Sequence, residues 1–100
     1  MKRLEKHVEE MLVSACKKAN IKTIKGDSYY KGFPDRIVFD TNHKKIYYVE
    51  VKNEGYYKMT EMQKYWSDII KRSGGLFFLI TGEDEMNAFI NTHIKGETNE

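Results

Sequence analysis

The residues best suited to chemistry are two acids and a lysine in neighbouring segments. Residues 32–35 read Gly-Phe-Pro-Asp, and fourteen residues separate Asp35 from the triplet Glu50-Val51-Lys52. If both segments are strands of one hairpin, Asp35 comes close to Glu50, and Lys52 shares a face with Glu50 because side chains alternate along a strand. Two partly buried carboxylates repel each other unless a cation lies between them. Oxygen ligation of this kind suits Mg²⁺ or Mn²⁺, and Lys52 would then orient a water or neutralise charge at a phosphate.

Two more polar residues are candidates for the same site, although each has an ordinary alternative. Glu5 borders the apolar stripe of the predicted first helix and can face the sheet edge, although it could equally be a solvated acid. Glu10 lies on the opposite side of that helix, and Glu9 falls between the two. Gln63 follows Thr60 by three residues and fits a capping box, which alone explains it. The helix that Gln63 begins also follows Lys52 directly, so its first turn could hold a phosphate or a water. The triplet by itself is weak evidence, because alternating charges on an exposed strand are common.

The pattern of apolar residues predicts the elements that position these side chains. Helices are predicted over residues 3–19, 60–73 and 83–95, and strands over residues 21–25, 35–40, 46–52 and 76–81. The second and third strands are predicted to pair as an antiparallel hairpin. The continuous apolar run at residues 76–80 predicts a last strand buried on both faces. This order indicates a mixed α/β fold with a small sheet flanked by helices.

Apolar residues at helical spacing predict which helix faces are buried. The predicted inward positions are Leu4, Val8, Met11, Leu12, Ala15 and Ala19 in the first helix, with Cys16 as a small core residue, then Met62, Tyr65, Trp66, Ile69 and Ile70 in the second, and Met86, Phe89, Ile90 and Ile94 in the last.

Length and composition limit the class of protein. A chain of 100 residues, 40% hydrophobic and 32% charged, fits one small soluble domain, predicted over residues 1–96 with 97–100 as a polar tail. The formal charge of +2 excludes a simple polycationic DNA-coating protein but allows a local basic surface. The single cysteine cannot form an internal disulfide, which favours a reducing cytoplasm. No apolar run is long enough to span a bilayer, and no motif points to a small-molecule substrate.

These motifs together resemble the VRR-Nuc domain, the viral-type replication–repair nuclease branch of the PD-(D/E)XK superfamily. The resemblance rests on Gly32-x-Pro34-Asp35, Glu50-x-Lys52 and Thr60-x-x-Gln63-x-x-Trp66 before Gly74-Gly75. It implies a restriction-endonuclease-like αβββαβ core with a four-stranded mixed sheet, here followed by a C-terminal helix. It also implies hydrolysis of DNA phosphodiester bonds with Mg²⁺ or Mn²⁺.

The resemblance further assigns roles to individual residues. It implies that Asp35, Glu50 and the backbone carbonyl of Val51 bind metal, and that Lys52 is the catalytic lysine. The helix-1 glutamate of the family falls best on Glu5, with Glu9 as the alternative, and the helix-2 glutamine falls on Gln63. Small stand-alone members look like phage or bacterial proteins that act as homodimers, sometimes on branched or four-way DNA.

Basic and aromatic residues around the motifs are candidates for DNA contacts. They are Lys31, Arg36, Lys44, Lys45, Lys58 and Lys64, and the tyrosine pairs Tyr29, Tyr30, Tyr56 and Tyr57. Each cation could equally be solvated, and the tyrosines could pack loops or a dimer interface. The sequence therefore predicts a metal-dependent DNA endonuclease, with a catalytically inactive DNA-binding module as the alternative and a protein-interaction subunit as a more distant one.

Overall fold

The structure is a computed structural model that describes residues 2–28 and 30–95. The elements, in chain order, are α1 (Lys2–Lys18), β1 (Lys22–Lys25), β2 (Arg36–Asp40), β3 (Lys45–Lys52), α2 (Glu61–Arg72), β4 (Leu76–Thr81) and α3 (Gly82–Phe89), which continues as a π-helical turn over Ile90–Ile94. The predicted order of elements is confirmed, and most boundaries agree within one residue. The predicted tail, residues 97–100, and Tyr29 lie outside the described residues. No helix in the described part of the chain is long and apolar enough to cross a membrane.

The four strands form one mixed sheet in the order β1-β2-β3-β4. Strands β1, β2 and β3 are antiparallel neighbours, and the predicted hairpin is confirmed, with Arg36 opposite Val49. Helix α2 crosses over between β3 and β4, which therefore run parallel. As a result, the end of β3 and the first turn of α2 lie at the same end of the sheet as the start of β2.

The alternation of β3 divides its residues between two different environments. Tyr47, Val49 and Val51 lie in the hydrophobic core, which packs the sheet against α1 and α3. Glu50 and Lys52 point to the opposite face, where both contact Gln63 of α2. One strand thus supplies the centre of the core from one side and a charged pair from the other.

The core contains most of the helix residues that the periodicity predicts, and the side chain of the predicted residue Leu4 lies outside the described part of the structure. Helix α1 buries Val8, Leu12 and Cys16, and α3 with its π-helical turn buries Met86, Phe89, Ile90 and Ile94. The prediction that Cys16 is a core residue is confirmed, since its side chain is fully buried.

Two burial predictions are wrong, for related reasons. In α2, Met62 and Tyr65 are 38% and 54% exposed, because the helix packs mainly on β4 and buries only Ser67 and Ile70 fully. The last strand is not buried throughout. It lies at the sheet edge, where no further strand covers its side, and Leu76 is exposed. An apolar pattern shows which residues can be buried, but the width of the covering surface decides which ones are.

Candidate active site

The candidate site lies where the start of β2, the end of β3 and the first turn of α2 meet. Asp35 comes just before β2, and its Oδ2 accepts a hydrogen bond of 2.7 Å from the backbone N–H of Val51. This contact lies beyond the ladder between β2 and β3, which ends at the pair of Arg36 and Val49. Asp35 is half-buried and Glu50 is only 4% exposed. The predicted approach of the two acids is therefore present.

Gln63 joins the acid and the lysine of β3 with its single amide group. Its Nε2 donates to Glu50 Oε2 at 2.8 Å, and its Oε1 accepts from Lys52 Nζ at 3.0 Å. Because an ionised carboxylate only accepts and an ammonium only donates, a group between them must do both, as an amide does with its N–H and its oxygen. Gln63 thereby holds Glu50 and Lys52 in fixed positions on the same face.

The local sequence explains why Gln63 is placed there. Thr60 caps α2: its side chain accepts from the Gln63 backbone N–H at 3.1 Å, and Gln63 Oε1 accepts from the Thr60 backbone N–H at 2.9 Å. This is the predicted capping box. The structure shows that the cap and the contact with the charged pair, treated above as alternatives, occur together.

The loop before Asp35 is fixed against the same turn of α2. Gly32 has φ of +82°, and a Cβ at this position would lie 2.5 Å from Met62 Cβ and 2.9 Å from the Gln63 backbone nitrogen. Only glycine tolerates both this backbone conformation and this approach. The glycine of the Gly-x-Pro-Asp motif therefore sets the distance between the Asp35 loop and α2.

Burial makes both acids reluctant to ionise. Removal from water is the main cause that raises the pKa of Asp35 to about 7, against an opposing hydrogen bond from the Val51 backbone. The same desolvation, together with the charge of Asp35, raises the pKa of Glu50 to about 8, while Lys52 acts in the opposite direction. Two such carboxyl groups side by side are suited to a cation, which would favour the ionised form of both.

Helix α1 closes one side of the site around a cavity of about 490 Å³. Glu5 and Glu9 both line this cavity together with Asp35. Glu9 is already paired, since its Oε2 accepts from Arg36 Nε at 2.8 Å. The structure thus brings both Glu5 and Glu9 to the site, where the charge of Glu5 raises the pKa of Glu50 and the charge of Glu9 raises the pKa of Asp35.

Sequence reasoning missed two acids of the cavity, Glu10 in α1 and Asp27. Asp27, in the turn after β1, lines it and contributes to the raised pKa of Asp35. The only sequence signal was a polar turn residue eight positions before Asp35, and nothing in that spacing distinguishes Asp27 from an ordinary turn aspartate.

The structure separates the predicted DNA-contacting residues into three groups. Lys31, Lys58, Lys64, Tyr56 and Tyr57 are exposed on the two segments that flank the site. Arg36 is not free, because its half-buried side chain pairs with Glu9. Lys44 and Lys45 lie at the other end of the β2–β3 hairpin, about 23 Å from Lys52 at the usual rise per strand residue. That distance is too long for contact with the same phosphate.

A metal ion at this site would be held by few protein side chains. Within residues 2–28 and 30–95, no three histidine, cysteine or carboxylate side chains already converge in a metal-binding arrangement. Two carboxylates, one of them nearly buried, are present with oxygen as the only donor atom. This donor set fits Mg²⁺ or Mn²⁺, which commonly bind one or two carboxylates and retain several waters.

Comparison with known proteins agrees with this architecture. The sequence model of the VRR-NUC domain matches residues 1–84. A solved VRR-NUC domain superposes with a TM-score of 0.76 at 19% identity, covering 89% of this chain and 96% of that one. A second solved structure, a VRR-NUC domain protein, superposes with a TM-score of 0.67 at 15% identity, and the match covers 97% of each chain. No curated protein matches the sequence. The chain belongs to the VRR-NUC family of nuclease-type domains.

Proposed function

We propose that this protein is a Mg²⁺- or Mn²⁺-dependent endonuclease that hydrolyses phosphodiester bonds of DNA. Membership of the VRR-NUC family implies a nuclease-type function in DNA processing. The observation that carries the finer proposal is the contact of Gln63 with both Glu50 and Lys52, beside the carboxylate of Asp35. A nearly buried acid held by an amide to a half-buried lysine needs a reason beyond stability, because burying charges is costly.

Asp35 and Glu50 are the proposed metal ligands, together with the backbone carbonyl of Val51 and with Glu5 in a supporting role. The Val51 N–H points at Asp35, and within a strand the N–H and C=O of one residue face the same side, which directs the carbonyl to the same place. The metal, when bound, would supply a Lewis acid that activates water and neutralises charge on the phosphate.

Lys52 and Gln63 have complementary proposed roles. Gln63 restricts the ammonium group of Lys52 to one position, so the lysine can orient the attacking water and stabilise the negative charge that develops on the phosphate. Gln63 also donates to Glu50, which keeps that carboxylate oriented. Gln63 is therefore a positioning residue, whereas Lys52 would contact the reacting atoms.

Replacement of Lys52 tests the proposal directly. Lys52→Ala should reduce metal-dependent cleavage by about 10²- to 10³-fold, the usual effect of removing one group that stabilises transition-state charge. Lys45→Ala is the matched control, because Lys45 is an exposed lysine at the other end of the same strand. Linear, nicked, flapped and four-way DNA should all be offered. Binding of DNA and metal without any cleavage would indicate the inactive DNA-binding module instead, and wild-type cleavage by Lys52→Ala would refute the assigned role.

Assembly as a homodimer is part of the proposal, because each chain supplies one site and duplex DNA has two strands. The sheet face that α2 leaves uncovered supports it. On this face Ile24 and Ile46 are 43% and 45% exposed and lie across from Ile37 and Phe39 respectively. A second copy would remove these side chains from water. Sedimentation that shows only monomers at micromolar concentration would contradict the dimer.

A further inference from the structure

Two exposed tyrosine rings and a half-buried tryptophan ring form a surface next to the candidate site. This aromatic surface consists of Tyr30, Tyr65 and Trp66. The rings of Tyr30 and Tyr65 each lie 5.4 Å from the ring of Trp66, and the two tyrosines are 60% and 54% exposed. Phe33 supports Trp66 from the protein side at 5.2 Å. Two large exposed rings held against a half-buried tryptophan form a contact surface whose positions are fixed before anything binds.

The aromatic surface is fixed relative to the residues of the site. Trp66 lies one helical turn after Gln63 in α2, and Tyr30 begins the turn that leads to Asp35. Gly32, within that turn, packs directly on Met62 and the backbone of Gln63. No hinge or long loop separates the rings from the catalytic side chains. A strand that lies across the rings would therefore pass close to the proposed metal ligands.

The two sides of the site differ in charge. Residues 30–33 and α2 carry four cations, Lys31, Lys64, Lys71 and Arg72, against the two acids Glu61 and Asp68. The cavity beside α1 has the opposite balance, with five acids, Glu5, Glu9, Glu10, Asp27 and Asp35, against three cations. A polyanionic strand is attracted to the first side and repelled from the second, whereas a divalent cation is attracted to the second.

We propose that the aromatic surface stacks on unpaired bases of a DNA strand whose backbone enters the site, so that the preferred substrate carries an unpaired segment beside the cleaved bond. This inference rests on the proposed nuclease function and specifies its substrate class. The bases of a continuous duplex already stack on each other and show only their edges in the grooves, so exposed protein rings gain little from them. Unpaired bases offer free faces, and their stacking on aromatic side chains depends little on sequence.

The chain contains its own reporter for this contact, because Trp66 is its single tryptophan. Tryptophan fluorescence should be quenched when DNA with an unpaired flap is added in the presence of Ca²⁺ in place of Mg²⁺, a condition chosen to keep the DNA intact. The same duplex without the flap should quench it much less. Equal quenching by both DNAs would overturn the inference.

Variants of the two exposed tyrosines show whether the aromatic ring itself, rather than an apolar side chain, is needed for binding flap DNA. Tyr30→Leu and Tyr65→Leu keep an apolar side chain but lose the ring, and each should weaken binding of flap DNA about fivefold or more while leaving binding of the plain duplex unchanged. Tyr30→Phe and Tyr65→Phe keep the ring and should bind like the wild type. Both positions are exposed, so thermal unfolding should show that all four variants fold.

The remaining outcomes test the stacking surface and the nuclease function separately. Flap-specific quenching without cleavage under Mg²⁺ or Mn²⁺ would support the stacking surface and refute only the nuclease. Cleavage that shows no preference for unpaired segments, with leucine variants as active as the wild type, would refute only the stacking surface. If the leucine variants convert a dimer into monomers, the rings contact a second copy of the chain, which also overturns the inference.

Discussion

Gln63 performs two tasks with one side chain, and a single conservative substitution should separate them. In Gln63→Glu the carboxylate can still accept from the Thr60 backbone N–H and from Lys52 Nζ, as the amide oxygen does now. Glutamate is also a normal residue at this position of a capping box. With Glu50 ionised, as metal binding requires, the one hydrogen bond that must be lost is the donation from Nε2 to Glu50, which is 2.8 Å long in the structure.

The expected loss of cleavage rate follows from the strength of that hydrogen bond. A hydrogen bond to a charged group contributes about 1.5–3 kcal/mol, which corresponds to about a ten- to hundredfold loss of rate if it holds Glu50 in its reactive orientation. A new carboxylate beside Glu50 also disfavours ionisation of a group whose pKa is already raised to about 8. Both effects lower cleavage at neutral pH, while the cap and therefore the stability of α2 remain.

The assay compares two variants in cleavage rate and in thermal unfolding, at saturating metal. Gln63→Glu should lose rate and keep its unfolding temperature. Thr60→Ala removes the hydroxyl that accepts from the Gln63 backbone N–H but leaves the Gln63 amide, so it should lose about 1 kcal/mol of stability and keep most of the rate. The reasoning is refuted if Gln63→Glu cleaves like the wild type, or if Thr60→Ala loses as much rate as Gln63→Glu does.

Two further outcomes are expected. Without divalent metal, the free energy of unfolding should fall as pH rises from about 4 to about 8. The pKa values of Asp35 and Glu50, about 7 and 8 in the folded protein against ordinary values of 3.8 and 4.5, mean that folding retains protons which the unfolded chain releases. Unfolding temperatures measured across this pH range should fall with rising pH, and Mg²⁺ should make that fall smaller. If the Asp35→Asn, Glu50→Gln double variant shows the same pH dependence as the wild type, these two carboxyl groups are not its cause. Gly32→Ala should cost about 2 kcal/mol or more in urea unfolding, because its Cβ would meet Met62 at 2.5 Å as well as requiring φ of +82°. Gly74→Ala, with φ of +88° and no described atom within 4 Å, should cost only about 1 kcal/mol, and equal losses would show that the contact is unimportant.

The elements were predictable from the sequence because each carries a local signal. The capping box begins α2, the hairpin follows from two short apolar strands, and alternation alone places Glu50 and Lys52 on one face. These features depend on residues a few positions apart and on the covalent geometry of the chain. Tertiary packing did not override them.

The contacts that the sequence could not supply are all non-local. Arg36 was a candidate for phosphate contact, yet its partner Glu9 is 27 residues away on another element. Asp27 comes to the site only because β1 pairs with β2. The exposure of Tyr65 depends on where α2 crosses the sheet, which periodicity does not report. Side-chain type and spacing predict candidates, whereas the fold decides which of them meet.

The division of β3 between core and site has a consequence for how this protein can change over time. Replacements at Tyr47, Val49 and Val51 are constrained by side-chain volume and hydrophobicity. Replacements at Glu50 and Lys52 are constrained by charge and side-chain length. Tolerance to substitution should therefore alternate residue by residue along one strand. Insertion of a single residue into β3 would exchange the two sets, turning the charged pair towards the core and a valine towards the candidate site. Stability and chemistry would fail together, so natural variants of this strand can drift by substitution but not by changes in its length.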